Sequence, residues 1–327
     1  MKDLIEDIKG TIWSDRTKKQ RIGFLNKLKK TISPQTKDFS FLSNVADVKD
    51  HIFASPNPAS RKTNILIIKS ILNNSGYTQI AKKYDALSFE VITDERAHRG
   101  NNVIDPDNWI TFHDVLALPK KIEADIKFVY DKLFLSEKEI NNLKTTQAKY
   151  KYLKLLTDYI TLVLYCWQAP VRGGDWATVL YKKPKGDKFN TENWYDVKKQ
   201  IIHWNTFKNV KSFGPRSFKL EKEVAEPLDS FIDILDFILD DSKYILNSIG
   251  LKNYISYSRE SFSTYISRLL LKYAGKKISV NTLRHIYESF LINHQDYNKL
   301  TNNQKDEIHE RLLHTRQTAS DYLLIEK

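Results

Sequence analysis

Apolar positions along this chain fall mostly at helical spacing, with one short stretch that alternates instead. In the first hundred residues the pattern predicts short helices separated by polar turns. Ile22, Phe24, Leu25 and Leu28 lie near helical spacing in a stretch that also carries Lys18, Lys19, Arg21, Lys27, Lys29 and Lys30. This is an amphipathic helix whose basic face is either solvated or laid on a polyanion. SPNPASRKTNILIIKSILNNSGY then runs from a Pro-rich turn into an apolar helix bearing Arg61, Lys62 and Lys69. Between Asp94 and Asp107 the sequence DERAHRGNNVIDPD is polar, and Gly100, Asn101, Asn102 and Pro106 break its periodicity. A domain boundary is expected there, dividing the chain into 1–100 and 101–327.

Beyond the boundary, Leu153, Leu156, Ile160, Val163 and Leu164 mark a helix from Lys149 to Gln168, with further apolar residues on its other faces. Such a helix belongs at the centre of a domain. Pro170 is expected to end it and leave Arg172 at the start of a turn. From Trp194 to Leu220 the runs NWYDV, QIIHWN and RSFKL alternate and are rich in aromatic and β-branched residues, with a Gly-Pro turn at Gly214 and Pro215. They predict a small antiparallel sheet. From Glu223 the helical period returns, through Phe231 to Ile238, Phe262 to Leu270 and Leu283 to Leu291. Two shorter helices, around Ile308 to Leu313 and Thr318 to Ile325, close the chain. The expected fold class is mainly α with a small antiparallel β-sheet (α+β).

Composition narrows the function classes. A length of 327 residues suits two domains, and 41% hydrophobic with 28% charged residues is the mix of a globular protein with a real core. The net charge of +12 favours a polyanionic partner, because each neutralised phosphate releases condensed counterions. The lone Cys166 excludes an internal disulfide and lies in the apolar run Leu162 to Tyr165, which reads as buried core in a reducing, intracellular compartment. No stretch reaches the ~18 apolar residues of a membrane span, and the N-terminus lacks a basic start followed by an apolar segment. A soluble protein is expected, with no membrane partner.

No Gly-rich phosphate loop, HExxH or cysteine cluster is present, and of His294, His309 and His314 only the pair His309/His314 matches, loosely, the spacing of a metal-binding helix face. The expectation is no metal and no cofactor. Four polar features stand out. APVRGGD places Arg172 after the central helix, followed by two glycines that let backbone approach a ligand, and by Asp175. Its bland reading is a basic cap on the helix C-terminus. WNTFKNVKSFGPRSFKL carries Lys208 and Lys211 at or near a β-turn, where lysines commonly protect a sheet edge. SVNTLRHIYESF puts Arg284 and His285 at the opening of an amphipathic helix; a cation in the first turn opposes the helix dipole and calls for a bound anion or a buried carboxylate. LLHTRQTASDYLL places His314 eight residues before Tyr322, which alone is an ordinary core aromatic.

Taken in order, Arg172, Lys208, Arg284, His314 and Tyr322 resemble the catalytic series of the tyrosine recombinases, the phage-type integrases and their relatives. The resemblance runs from about Asn108 to Lys327 and is best at Arg172 with Asp175, at Leu283 to His285, and at the His314/Tyr322 tail. It implies a helical DNA-grasping domain over the first hundred residues and a catalytic domain after it. Tyr322 would be the nucleophile, and Arg172 and Arg284 would be guanidinium forks on the phosphate. His314 would hydrogen-bond a phosphate oxygen, and Lys208, or Lys211 if the turn is longer, would give the leaving 5′ oxygen its proton.

One position departs from the pattern. Asn281 stands where many members have histidine, and an amide donates a hydrogen bond but does not shuttle a proton at neutral pH. His285 and Asp175 read as supporting residues. The resemblance implies double-stranded DNA as partner, assembly into a dimer or tetramer on it, and integration or excision of viral or mobile-element DNA. A hairpin-forming telomere resolvase or a catalytically silent DNA-binding protein are the alternatives.

Overall fold

The computed structural model describes residues 4–99, 106–184, 186, 190–239, 241–250 and 253–316. The chain divides into two compact units, Met1–Asn102 and Val103–Lys327, each with its own apolar core.

The first unit is wholly helical among the described residues: α1 (Leu4–Gly10), α2 (Asp15–Ile32), α3 (Val45–Phe53), α4 (Pro58–Asn74), α5 (Thr78–Lys83) and α6 (Asp85–Arg99). In α2 only Leu25 and Leu28 are buried, and the lysines lie on the wetter faces, as its amphipathic pattern predicts. The start of α4 follows from local chemistry: Asn57 accepts from the amides of Ala59 and Ser60, and Pro58 takes the first helical position, where its missing N–H costs nothing. The helices are not all short, and α6 continues through the first residues of the expected linker. Arg61 pairs with Asp94 at 3.1 Å and Lys62 with Glu95 at 3.0 Å, so consecutive cations on α4 hold consecutive carboxylates on α6.

The second unit contains α7 (Phe112–Tyr130), α8 (Glu137–Asn142), α9 (Thr146–Cys166), β1 (Trp194–Asp196), β2 (Ile201–Trp204), α10 (Val210–Phe213), β3 (Arg216–Lys219) and α11 (Lys222–Ile238). After these come β4 (Asn247–Ile249), β5 (Tyr254–Ser256), α12 (Arg259–Ala274), α13 (Val280–Asn293), α14 (Gln295–Lys299) and α15 (Asn302–Arg311). The central helix is α9, where every residue from Leu156 to Cys166 is buried, against α7, α11 and α13. Its buried polar groups are satisfied locally: Thr157 and Thr161 donate to carbonyls one turn back, and Asp158 accepts from the Tyr265 hydroxyl at 2.6 Å. Burial also pushes the Cys166 thiol well above its ordinary pKa, consistent with an inert core residue.

Strands β1, β2 and β3 form an antiparallel sheet in that order, with Ile202 opposite both Tyr195 and Phe218. A second pair, β4 with β5, was not evident in the alternation because each strand is only three residues long. The fold is mainly helical with small antiparallel sheets. Among the described residues no helix is long and apolar enough to cross a membrane.

Candidate active site

Helix α9 ends at Cys166, four residues before Pro170, and the chain then reverses through Arg172 to Asp175, whose amide bonds the Arg172 carbonyl at 2.9 Å. From inside the core the Tyr165 hydroxyl reaches the carbonyls of Arg172 and Gly173, both at 3.3 Å, and fixes the turn from below. Arg172 stands six residues past the end of α9, too far on to cap it, and is half-buried.

The two glycines are required by packing. A Cβ on Gly174 would lie 2.7 Å from both Cβ and Cγ of Arg259, and one on Gly173 would lie 3.0 Å from the Ser263 hydroxyl. The close approach is to the first turns of α12. Gly174→Ala is therefore expected to destabilise the fold by about 1–3 kcal/mol, because the Arg259 Cβ is fixed to its helix and cannot swing away. Urea denaturation of the variant checks it.

Asp175 is buried at 1% exposure and faces Arg259, with 3.4 Å between Oδ1 and the guanidinium. Burial pushes its carboxyl up to about 6, against the opposing pull of Arg259, Arg172 and Arg284. Three guanidinium groups thus lie within electrostatic reach of one carboxyl.

Arg284 is in the second turn of α13, not the first. Ser279 caps the helix in a reciprocal box with Thr282, and Val280 is the first helical residue. The side chain is 1% exposed. Its Nη1 donates to the carbonyls of Pro170 at 2.7 Å and Leu312 at 3.0 Å, which binds the Arg172 turn and the end of α15 to one side chain. Its Nη2 lies 3.1 Å from Nδ1 of His314.

His314 is fully buried, and its Nε2 is 2.5 Å from Oε1 of Glu288. Glu288 is also met by Nδ1 of His309 at 3.3 Å, and Nε2 of His309 is 2.7 Å from the Tyr297 hydroxyl. Burial, with help from Arg284, lowers the pKa of His314 even though Glu288 raises it. Burial also works to raise the pKa of Glu288, but hydrogen bonds from the two histidines outweigh it and hold the group below the ordinary carboxylate range. With both ring nitrogens of His314 engaged by protein groups, a phosphate oxygen reaches it only by displacing Glu288 or Arg284.

Glu288, His309 and His314 are the one group among the described residues whose ligand atoms cluster as a metal site would require. Two histidines and a glutamate are donors that zinc accepts, but their surroundings here favour hydrogen bonding instead. At 2.5 Å the His314–Glu288 contact is a hydrogen bond, and a His314 that ligated through Nε2 would turn an Nδ1–H towards the Arg284 guanidinium.

Lys208 and Lys211 are both exposed on the long connection between β2 and β3, and neither joins this cluster among the described residues. Lys208 lies four residues beyond the end of β2 rather than at it, and Lys211 is in α10, a single helical turn that stands where a β-turn was expected. Arg216 in β3 pairs with Glu310 of α15 at 3.4 Å, which tethers this sheet to the helix leading to His314. Asn281 is exposed, and its amide donates to Nε2 of the half-buried His285 at 3.2 Å, one turn along the same helix. Tyr322 lies outside the described residues, as does the short helix expected from Thr318 to Ile325.

No protein-family model matches the chain, and no curated protein sequence does. The crystal structure of XerA recombinase is similar to 99% of this chain and 92% of its own, at 15% identity and a TM-score of 0.42. Such a likeness is too loose to assign a function. The chemistry of the cluster itself has to do that.

Glu288, Tyr297 and Arg259 did not stand out in the sequence, and His309 did so only beside His314 as a candidate metal ligand. Glu288 carried a usable signal: a carboxylate four residues after Arg284 shares its helix face, and charged residues on a core-facing stripe are rarely left unpaired.

Proposed function

We propose that this chain is a tyrosine recombinase that cuts and rejoins double-stranded DNA through a 3′-phosphotyrosine on Tyr322. The observation that carries the reading is the junction at Arg284, where one buried guanidinium holds the Arg172 turn through Pro170 and also holds His314, eight residues before Tyr322. Arg172 and Arg284, 112 positions apart in sequence, both act on the Asp175 carboxyl, which supports one cationic site. Such a site suits a phosphodiester, since fixed guanidinium groups stabilise the added charge of a pentacoordinate transition state.

In the forward step the Tyr322 phenol loses its proton to solvent as its oxygen bonds phosphorus. The P–O5′ bond breaks, and Lys208 protonates the departing 5′ oxygen. The phosphotyrosine keeps the energy of the phosphodiester, so attack by another 5′-hydroxyl reverses the step without ATP. Residues 1–100 would bind the duplex alongside the catalytic domain, and protomers would assemble as a dimer or tetramer on paired sites, in integration or excision of viral or mobile-element DNA.

The competing reading, a catalytically silent DNA-binding protein, draws on the engagement of Arg284 and His314 by protein groups. A pool of nicked duplexes randomised around the nick separates the two. Wild type is expected to become covalently linked to DNA without added metal, and Tyr322→Phe is not; a wild type that binds the pool but forms no adduct supports the silent protein.

The lysine is tested by a 5′-bridging sulfur in the same DNA. Lys208→Ala should slow adduct formation on the ordinary phosphodiester by about 10²–10⁴-fold, because an alkoxide is a poor leaving group without a proton. A thiolate leaves unaided, so sulfur should restore the rate. The same pattern in Lys211→Ala instead would move the role to that residue.

A further inference from the structure

Around Arg284 lies a buried chain of hydrogen bonds whose other members have no task in the reaction above. Its members come from four places: Arg284 and Glu288 from α13, Tyr297 from α14, His309 from α15, and His314 from the turn after α15. Arg284, Glu288, His309 and His314 are each at most 1% exposed. Resting on the reading proposed above, we propose that Glu288 and His309, backed by Tyr297, are positioning residues that lock His314 in one neutral tautomer and so aim Arg284 at the reacting phosphate.

The tautomers follow from the partners. A carboxylate only accepts, so Nε2 of His314, 2.5 Å from Glu288, carries the proton. Its Nδ1 then has a lone pair and accepts from Arg284 at 3.1 Å. In His309 the order is opposite: Nδ1 donates to Glu288 at 3.3 Å and Nε2 accepts from the Tyr297 hydroxyl at 2.7 Å. Every bond in the chain has a donor and an acceptor, and both histidines point their protons at Glu288. A proton on Nδ1 of His314 would instead oppose the guanidinium and push it from its place. The chain is thus a device with one consistent state.

Backbone strain supports a built arrangement. The turn that ends α15 has the amide of Leu313 bonded to the Glu310 carbonyl at 2.9 Å and that of His314 bonded to the His309 carbonyl at 3.4 Å. This is the Schellman pattern, whose left-handed position is usually glycine. Here it is Leu313, at φ 56° and fully buried. A left-handed leucine costs about 1–2 kcal/mol, and such strain persists where the surroundings demand it. What it achieves is to fold His314 back beneath its helix, so that it meets Glu288 together with His309.

The test is nitrogen-15 NMR of the full chain labelled at histidine, together with adduct kinetics on the nicked pool. In wild type, His314 should resonate as the Nε2–H tautomer and His309 as the Nδ1–H tautomer. Glu288→Gln offers one carbonyl for two donors and turns an amide donor inward, so mixed tautomers at His314 are expected. The rate of adduct formation should fall about 10²-fold or more, with DNA affinity changed less than about threefold. His309→Gln, which keeps the carboxylate, should show a smaller loss in rate and the same unchanged affinity. Wild-type His314 in the Nδ1–H or doubly protonated form overturns the proposal, and needs no variant to fold. A folded Glu288→Gln protein with an unchanged adduct rate overturns it too. A wild type with the expected tautomers that forms no adduct defeats the recombinase reading and, with it, the task assigned to the relay; the two failures are told apart by the spectrum.

Discussion

Arg284→Ala should lose both chemistry and stability. The side chain satisfies two buried carbonyls and the Nδ1 of His314, and it balances the charge of Glu288 across that ring. Removing one member of a buried charged network leaves the others desolvated and unpaired, at a cost of about 3–5 kcal/mol. Adduct formation should drop by about 10³-fold or more, the scale on which a single arginine stabilises phosphoryl transfer. Arg284→Lys should restore part of the stability and little of the rate, since an ammonium cannot span Pro170, Leu312 and His314 as a planar fork does. Thermal melts and single-turnover adduct assays on the same preparations separate the two effects. A variant as active as wild type would remove Arg284 from the site.

Arg172→Ala should show the opposite balance. Its side chain is half-buried on a turn whose backbone is held independently by Tyr165 and by the Asp175 amide. Stability should fall less than in Arg284→Ala, because Arg259 and Arg284 still face the buried Asp175, while adduct formation falls by about 10³-fold. Affinity for duplex DNA should weaken only modestly, with the slope of log K against log salt reduced by about one, because many other cations supply the electrostatic binding. Retained chemistry would make Arg172 a structural residue. Loss of binding in step with loss of rate would make it a general DNA contact instead.

The parts of the fold legible in the sequence were those governed by local periodicity. Helix α9 announced itself through a long apolar run, and the strands of the three-stranded sheet through short alternating ones. What escaped depended on contacts distant in sequence. DERAHR reads as linker until Arg61 and Lys62 are seen to bind Asp94 and Glu95. That Gly173 and Gly174 also pack against α12 is invisible until the fold brings that helix to them. The β2–β3 connection reads as a β-turn of open length because nothing local reveals the helical turn at Val210–Phe213.

Within the site the same division holds. Arg172, Arg284 and His314 stood out by type and order, and the structure joins the Arg172 turn, Arg284 and His314 through hydrogen bonds. The relay did not stand out, because it depends on Leu313 taking a left-handed conformation that its side chain disfavours. A glycine there would have advertised the turn. Glu288 was the legible exception, placed one helical turn from the arginine it serves.

Mass spectrometry of the DNA-linked peptide tests the central claim most directly. After digestion of the adduct trapped on nicked duplex, a 3′-phosphoryl nucleotide is expected on Tyr322 and on no other side chain. Attachment at any other residue, or an adduct that persists in Tyr322→Phe, would contradict the account.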